Sequence, residues 1–225
     1  MNMPELRSNQ VDYQEFTEQG YATGLTPGVM TEVYQEQINV VVLQRSLTQE
    51  ILGYGQRLIE GSPNFNLREV INIENVALSL TSSLPNLENQ SEFIDDLVLL
   101  VEMYACLFDL DEVGLRLQVL DRAMCPRFHI DKLGCRLVST YVGQGTEWLQ
   151  NNDVDRSKLG QGNLGLSDNE SGIFSTPACI QQVNQGDVVL LKGEGWFNNE
   201  GLGAVHRSPA LSDSEKRLVV TMDFA

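Results

Sequence analysis

The stretch FHIDKLGCRLVSTYV, Phe128–Val142, holds two strand-like runs separated by Lys132, Leu133, Gly134 and Cys135. Side chains of an extended chain alternate between its two sides, so His129 and Asp131 share one face while Phe128 and Ile130 share the other. In the second run, Arg136–Val142, Leu137, Ser139 and Tyr141 lie on a common face. Residues i and i+2 of a strand are ~6.6 Å apart, a span over which an imidazole and a carboxylate reach one metal bound at about 2 Å. The stretch therefore points both to β-structure and to a metal site carried on it.

Reading outward, Val113–Leu120, Cys179–Val183, Asp187–Lys192, Gly203–His206 and Arg217–Phe224 are further short runs separated by glycine, asparagine and proline. Together with the two runs above they predict a β-sandwich or barrel. In the last run Leu218, Val220, Met222 and Phe224 form an apolar face, which leaves Arg217, Val219 and Thr221 on the opposite one. Between Leu149 and Ser175 the chain is rich in Asn, Asp and Gly with little periodicity, as a functional loop or lid would be.

The N-terminal half reads differently. Ile38–Leu43 is strand-like, and Ser46 or Thr48 stands where the N-cap of a helix reaching Ile59 would lie, with Gly61, Ser62 and Pro63 as its stop. Phe93, Leu97, Leu100, Tyr104 and Phe108 recur at steps of three and four and mark a buried helix over Glu92–Phe108. Ser91 is its candidate cap, and Glu92, Asp95 and Asp96 suit its positive end. The expected organisation is an irregular arm over residues 1–37, a helical support region over 38–108, and a β-domain over 109–225 that forms one structural unit with that support.

With 31 acidic and 15 basic residues the chain carries a net charge of −16, which disfavours nucleic-acid backbones and anionic membranes. A hydrophobic share of 42% suffices to bury a core. Cys106, Cys125, Cys135 and Cys179 form no CxxC pair, which fits a reducing, cytoplasmic setting. Met1–Gln10 shows no secretory pattern, and no run approaches the ~18 apolar residues of a membrane span.

His129 and His206 are the only histidines. With Asp131 they make a two-histidine, one-carboxylate set, which suits Fe(II) and also zinc, copper or manganese. A rival set, Cys125, His129, Cys135 and His206, suits zinc in kind, but four extended residues separate Cys125 from His129 by ~13 Å. Hydrolase chemistry lacks a nucleophile motif such as GxSxG. Arg217, sharing a face with Thr221, is placed to clamp a carboxylate by charge-assisted bonds. Tyr141 and Lys192 are further carboxylate-binding candidates, although a packed tyrosine and a snorkelling lysine are the ordinary readings. Thr146, Glu147 and Trp148 are candidates for a substrate pocket, with Trp148 offering a stacking surface; a turn pinned by a buried tryptophan reads equally well.

The order His129, Asp131, a GDVVLL strand (Gly186–Leu191), His206 and then Arg217 resembles the double-stranded β-helix, or jelly-roll, of the Fe(II)- and 2-oxoglutarate-dependent oxygenases over roughly residues 122–224. The GDVV strand, the distal histidine and Arg217 with Thr221 are similar to the AlkB-type demethylases, although Val219 stands where many relatives carry serine. That resemblance implies an α+β protein, a jelly-roll sandwich supported by N-terminal helices. It also implies iron at His129, Asp131 and His206, 2-oxoglutarate on Arg217, and hydroxylation of a small-molecule or protein substrate. The alternative is a non-catalytic, cupin-like protein binding zinc or iron through the same residues. Cys125–Asp131, Gly143–Leu149, Leu191–Gly193 and His206–Pro209 are similar to the uncharacterised family known as domain of unknown function 1826.

Overall fold

Strand parity sorts the side chains of this protein into layers. The computed structural model describes residues 20–225. In chain order its elements are β1 (Tyr21–Gly24), β2 (Val40–Leu43), α1 (Gln49–Gly61), β3 (Asn66–Asn72), α2 (Val76–Ser83), α3 (Gln90–Phe108), β4 (Glu112–Leu120), β5 (Cys135–Val142), β6 (Glu147–Leu149), α4 (Asp168–Ser171), β7 (Ile180–Gln182), β8 (Val188–Lys192), β9 (Val205–Arg207) and β10 (Arg217–Phe224). Seven strands form a large sheet in the order β1-β2-β8-β5-β10-β4-β3, and three form a small sheet in the order β7-β6-β9. His129 extends the small sheet by an isolated antiparallel bridge to His206 on β9. From β4 onward the chain passes repeatedly between the two sheets, giving the α+β jelly-roll architecture expected from the sequence.

Each strand of the large sheet sends alternate side chains to opposite sides. Leu67, Leu115, Leu117, Leu137, Leu190, Leu218, Val220 and Met222 join Phe93, Leu97, Leu100 and Tyr104 of α3 and Tyr54 and Leu58 of α1 in the principal core. The other face sends Val40, Val42, Val138, Val189, Leu191 and Val219 towards Trp148 of the small sheet, forming a second core between the sheets. Phe128, Leu149 and Val205 pack outward with Ile173 and Phe174, so the segment after β6 covers the outer face of the small sheet. The layers are helices, large sheet, small sheet and covering loop.

Local signals explain most boundaries. Thr48 caps α1 by accepting the Ile51 amide at 3.4 Å. Helix α3 starts one residue before Ser91, after Asn89 in the left-handed region at φ 64°. Residues 21–24, read in sequence as irregular, pair in parallel with β2, and Met30 and Val33 just beyond them are buried. The remainder of the expected arm, residues 1–19, lies outside the described residues. β3 and α2 add elements that the sequence reading passed over. No described helix is long and apolar enough to cross a membrane.

One buried ionic cluster ties the helices to the sheet. Asp96 of α3 accepts from Arg45 Nη1 at 2.5 Å and from Nη2 at 3.1 Å, and also accepts the Tyr141 hydroxyl of β5 at 2.6 Å. Arg45 further donates from Nε to the Gly186 carbonyl at 2.7 Å. Removing one partner of a buried charge pair leaves the other without compensation. Asp96→Ala is therefore expected to cost about 3 kcal/mol, read as a lowered urea midpoint, whereas Glu92→Ala, on the exposed side of α3, should leave the midpoint nearly unchanged.

Candidate metal centre

The two histidines are brought together by the backbone. His129 N donates to His206 O, and His206 N donates to His129 O, both at 3.0 Å, and the ring centroids stand 4.4 Å apart. The alternation expected at this position holds although only His129 is paired: Phe128 and Ile130 turn to the outer cluster while Asp131 turns with His129. His129 Nε2 lies 3.7 Å from Asp131 Oδ1, and His206 Nε2 lies 3.6 Å from Asp131 Oδ2. One donor atom from each of the three residues falls within 4.8 Å of the others. Donors bound at about 2.1 Å and at right angles would stand ~3.0 Å apart, so the two carboxylate–imidazole distances, 3.7 and 3.6 Å, would each have to shorten by about 0.6–0.7 Å around an ion.

The tautomers suit that role. His129 Nδ1 lies 2.9 Å from the Arg127 carbonyl and His206 Nδ1 lies 3.1 Å from the Ala204 carbonyl. A carbonyl only accepts, so each Nδ1 carries the proton and each Nε2 lone pair points inward. Burial, reinforced by the neighbouring His129, pushes the His206 imidazole down to about 4. It is neutral at pH 7, as a ligand must be.

Arg136 and Asp168, neither anticipated from sequence, hold these three residues in place. Arg136 Nη1 donates to Asp131 Oδ2 at 2.7 Å, and its Nε and Nη2 form a fork onto Asp223 at 2.7 and 2.8 Å. Asp168, 6% exposed, accepts from Arg127 Nε at 2.8 Å, from the Phe128 amide at 3.0 Å and from Arg207 Nη1 at 2.8 Å. These are residues flanking both histidines. Burial opposes ionisation of Asp168, yet the bonds from Arg127, Phe128 and Arg207 hold its carboxyl below the ordinary range. The segment between β6 and β7 thus works here as a clamp. Its sequence signal was the capping box Ser167–Glu170, which starts α4 and fixes Asp168 at its first position; Arg136 was legible only as the inward-facing neighbour of Leu137.

Arg217 opens β10 on the inner face, is 2% exposed, and donates from Nη2 to Thr140 Oγ1 at 3.1 Å. Its Nε is buried without a partner. Burial pushes the guanidinium down to about 10, against Glu147, which raises it, so Arg217 remains a cation at pH 7. Thr221 shares the inner face four residues further along, ~13 Å by strand rise, with Val219 between them.

Of the other candidates, Tyr141 and Lys192 lie on the helix side of the large sheet and Thr146, Glu147 and Trp148 at or just before β6, with Trp148 facing the space between the sheets. Tyr141 points to the helices, where its hydroxyl bonds Asp96, and Lys192 points the same way, donating to the Gln35 carbonyl at 2.9 Å beneath Trp196. Strand parity placed each with its neighbours, but the helices rather than the second sheet cover that side. Trp148 is buried between the sheets and packs on Tyr21 at 5.1 Å. Glu147 turns outward to Arg207 Nε at 2.6 Å, and Thr146 is buried, its carbonyl accepting the Val183 amide. Cys135 belongs to the helix-side core and Cys125 is exposed, which removes the four-ligand zinc set.

The family model described as "Protein of unknown function (DUF1826)" matches residues 24–223. No curated protein matches the chain. Among solved structures, the dioxygenase for auxin oxidation 1 from Arabidopsis thaliana, in complex with 2-oxoglutarate, is similar with a TM-score of 0.48 and 6% identity over 92% of both chains. HygX from Streptomyces hygroscopicus, with iron bound, gives 0.47 and 9% over 88% of this chain and 86% of its own. A Pseudomonas putida prolyl-4-hydroxylase gives 0.44 and 10% over 88% and 97%. At these scores the likeness assigns no residue a role.

Second-layer partners of metal ligands typically contribute 10–100-fold in metal affinity. Asp168→Ala should therefore weaken metal binding by about tenfold or more in competition with a chromophoric chelator while the circular dichroism spectrum stays that of the parent. His206→Ala should abolish binding at this site in the same assay.

Proposed function

Because the chain belongs to the DUF1826 family, a membership that carries no chemistry with it, we propose from its own residues that it is an Fe(II)- and 2-oxoglutarate-dependent oxygenase. The observation that carries this reading is the pairing of a three-donor site on the small sheet with Arg217, a buried cation on the facing side of the large sheet whose Nε has no partner. A buried cation without an anion is costly to maintain. It fits a cosubstrate carboxylate, which would complete its hydrogen bonds.

His129, Asp131 and His206 would hold the metal by two imidazole nitrogens and a carboxylate oxygen, leaving its remaining positions open. When bound, iron and 2-oxoglutarate supply the oxidation that places one atom of O2 in a substrate C–H bond and the other in succinate, with release of CO2. The chain's own part is positional and electrostatic. The Arg127 and Ala204 carbonyls fix both imidazole tautomers, Arg136 orients the Asp131 carboxylate, and Asp168 holds both histidine segments. Arg217 and Thr140 receive the distal carboxylate of the cosubstrate, while Val138, Val189, Leu191 and Trp148 keep water from the space between the sheets. Four free thiols suit a reducing cytoplasm, which also favours ferrous iron.

A second reading, a cupin-like zinc or iron protein without turnover, draws on the same apolar packing, because Val138, Val189, Leu191, Val219 and Trp148 already fill much of the space between the sheets. Calorimetry under anaerobic conditions distinguishes the two. In the iron-loaded protein 2-oxoglutarate is expected to bind, and Arg217→Met to weaken it about a hundredfold, the equivalent of a lost charge-assisted pair, without loss of metal. Metal retention with no 2-oxoglutarate binding would instead establish the second reading.

A further inference from the structure

Strand register lays out the inner face of the large sheet row by row. One row runs Val42, Val189, Val138, Thr221, Arg116, Arg68, from β2 across β8, β5, β10 and β4 to β3. Residues paired across neighbouring strands point to the same side, and this row changes character along its length. Val189 and Val138 are buried between the two sheets, Thr221 is half-buried, Arg116 has 35% of its side chain exposed, and Arg68 is exposed. The small sheet covers the first half of the row, and the second half is open.

The open half is cationic in a protein of net charge −16. Arg68 and Arg116 are directly paired across β3 and β4, an arrangement of like charges that is destabilising unless an anion lies between them. Among the described residues Arg68 makes no ion pair, and the one carboxylate near Arg116 is Asp223, at 4.0 Å, whose oxygens are already engaged by the Arg136 fork. The neighbouring row adds Asn66 and Gln118, paired with each other by a 3.0 Å bond. Glu69 of the same strand turns to the helix side, towards Ser83, so it does not neutralise this face. A chain of ionic contacts links the pair to the candidate metal centre, from Arg116 through Asp223 and Arg136 to Asp131.

We propose that Arg68 and Arg116 form the substrate-recognition site for a small molecule bearing an oxyanion group, a phosphate or a carboxylate, whose reacting carbon is held towards His129, Asp131 and His206. Two adjacent guanidinium forks match such a group in charge and geometry. The acidic remainder of the surface repels polyanions, so a single anionic group on a small molecule fits better than a nucleic-acid backbone. The use made of the bound molecule rests on the oxygenase reading; the anion site itself does not.

The test is residue-resolved. In protein loaded with Zn(II) as a diamagnetic stand-in, inorganic phosphate and, separately, acetate are titrated while the arginine Nε–Hε resonances are followed by NMR. At least one of the two is expected to shift Arg68 and Arg116 saturably, with Arg57, which faces Glu88 on the opposite layer, unmoved. The stronger of the two identifies the anion class. Arg68→Gln and Arg116→Gln should each weaken the apparent affinity by about fivefold, and the corresponding lysine variants less. Equal shifts at Arg57, shifts that track protein dilution instead of anion, or unchanged affinity in both glutamine variants would overturn the proposal. Failure of 2-oxoglutarate to bind, with the phosphate or acetate response intact, would fault the oxygenase reading and leave this site standing.

Discussion

The reciprocal pair of backbone hydrogen bonds between His129 and His206 is the constraint on which the site depends. The segment around His129 is too short to be a strand by itself: Pro126 precedes it and a turn follows at Gly134. Its two bonds to His206 fix its register, and register in turn decides that both imidazoles and the Asp131 carboxylate turn inward. A slip of one residue would send Phe128 and Ile130 into the site and the histidines into the outer cluster. The neighbouring layers resist that slip, because Phe128 is packed among Leu149, Ile173, Phe174 and Val205 and stacked against the Arg207 guanidinium at 4.3 Å.

Asp168 adds the second constraint. A carboxylate in a nearly buried position is costly unless every lone pair is used, and here the donors that use them belong to Arg127, Phe128 and Arg207. The ionic centre therefore forms only when the segment after β6 lies across both histidine segments. Folding of that segment and assembly of the ligand set become one event. Arg207 joins the same centre to β6 through Glu147, so three neighbouring segments of the small sheet are fixed by one connected group of charges.

Much of this was legible in the sequence, and the reason is parity. Alternation in Phe128–Asp131 and in Arg217–Phe224 assigned the faces correctly, because a period of two survives even in a segment with a single bridge. Parity cannot say which layer covers a face, however. Tyr141 and Lys192 sit in strands found in sequence, yet their sides meet α1, α3 and Trp196 instead of the second sheet. β3 escaped notice because Glu69 interrupts its apolar face and Asn66, Arg68 and Val70 leave the other open. Asp168 was invisible for a different cause: its partners are 40 residues away in the chain, and no local pattern encodes them.

The distribution of charge follows from the same layering. Carboxylates dominate the composition, but on the inner face of the large sheet Arg68, Arg116, Arg136 and Arg217 outnumber Glu112 and Asp223. Each of the four stands in a different electrostatic state. Arg136 is fully compensated by Asp131 and Asp223, Arg116 is partly compensated, Arg68 is paired only with a like charge, and Arg217 is buried with a single hydroxyl partner. Compensated arginines add rigidity, whereas uncompensated ones raise the free energy of the empty protein relative to one that holds an anion. The uncompensated charge lies in two places on one side of the Asp131–Arg136–Asp223 chain: Arg116 and Arg68 one row from Asp223, and Arg217 at the far end of β10. Arg45 and Arg207 meet carboxylates directly, whereas on the inner face Arg68 and Arg217 contact none among the described residues, and an anion arriving at either would gain a charge-assisted bond without displacing an existing one.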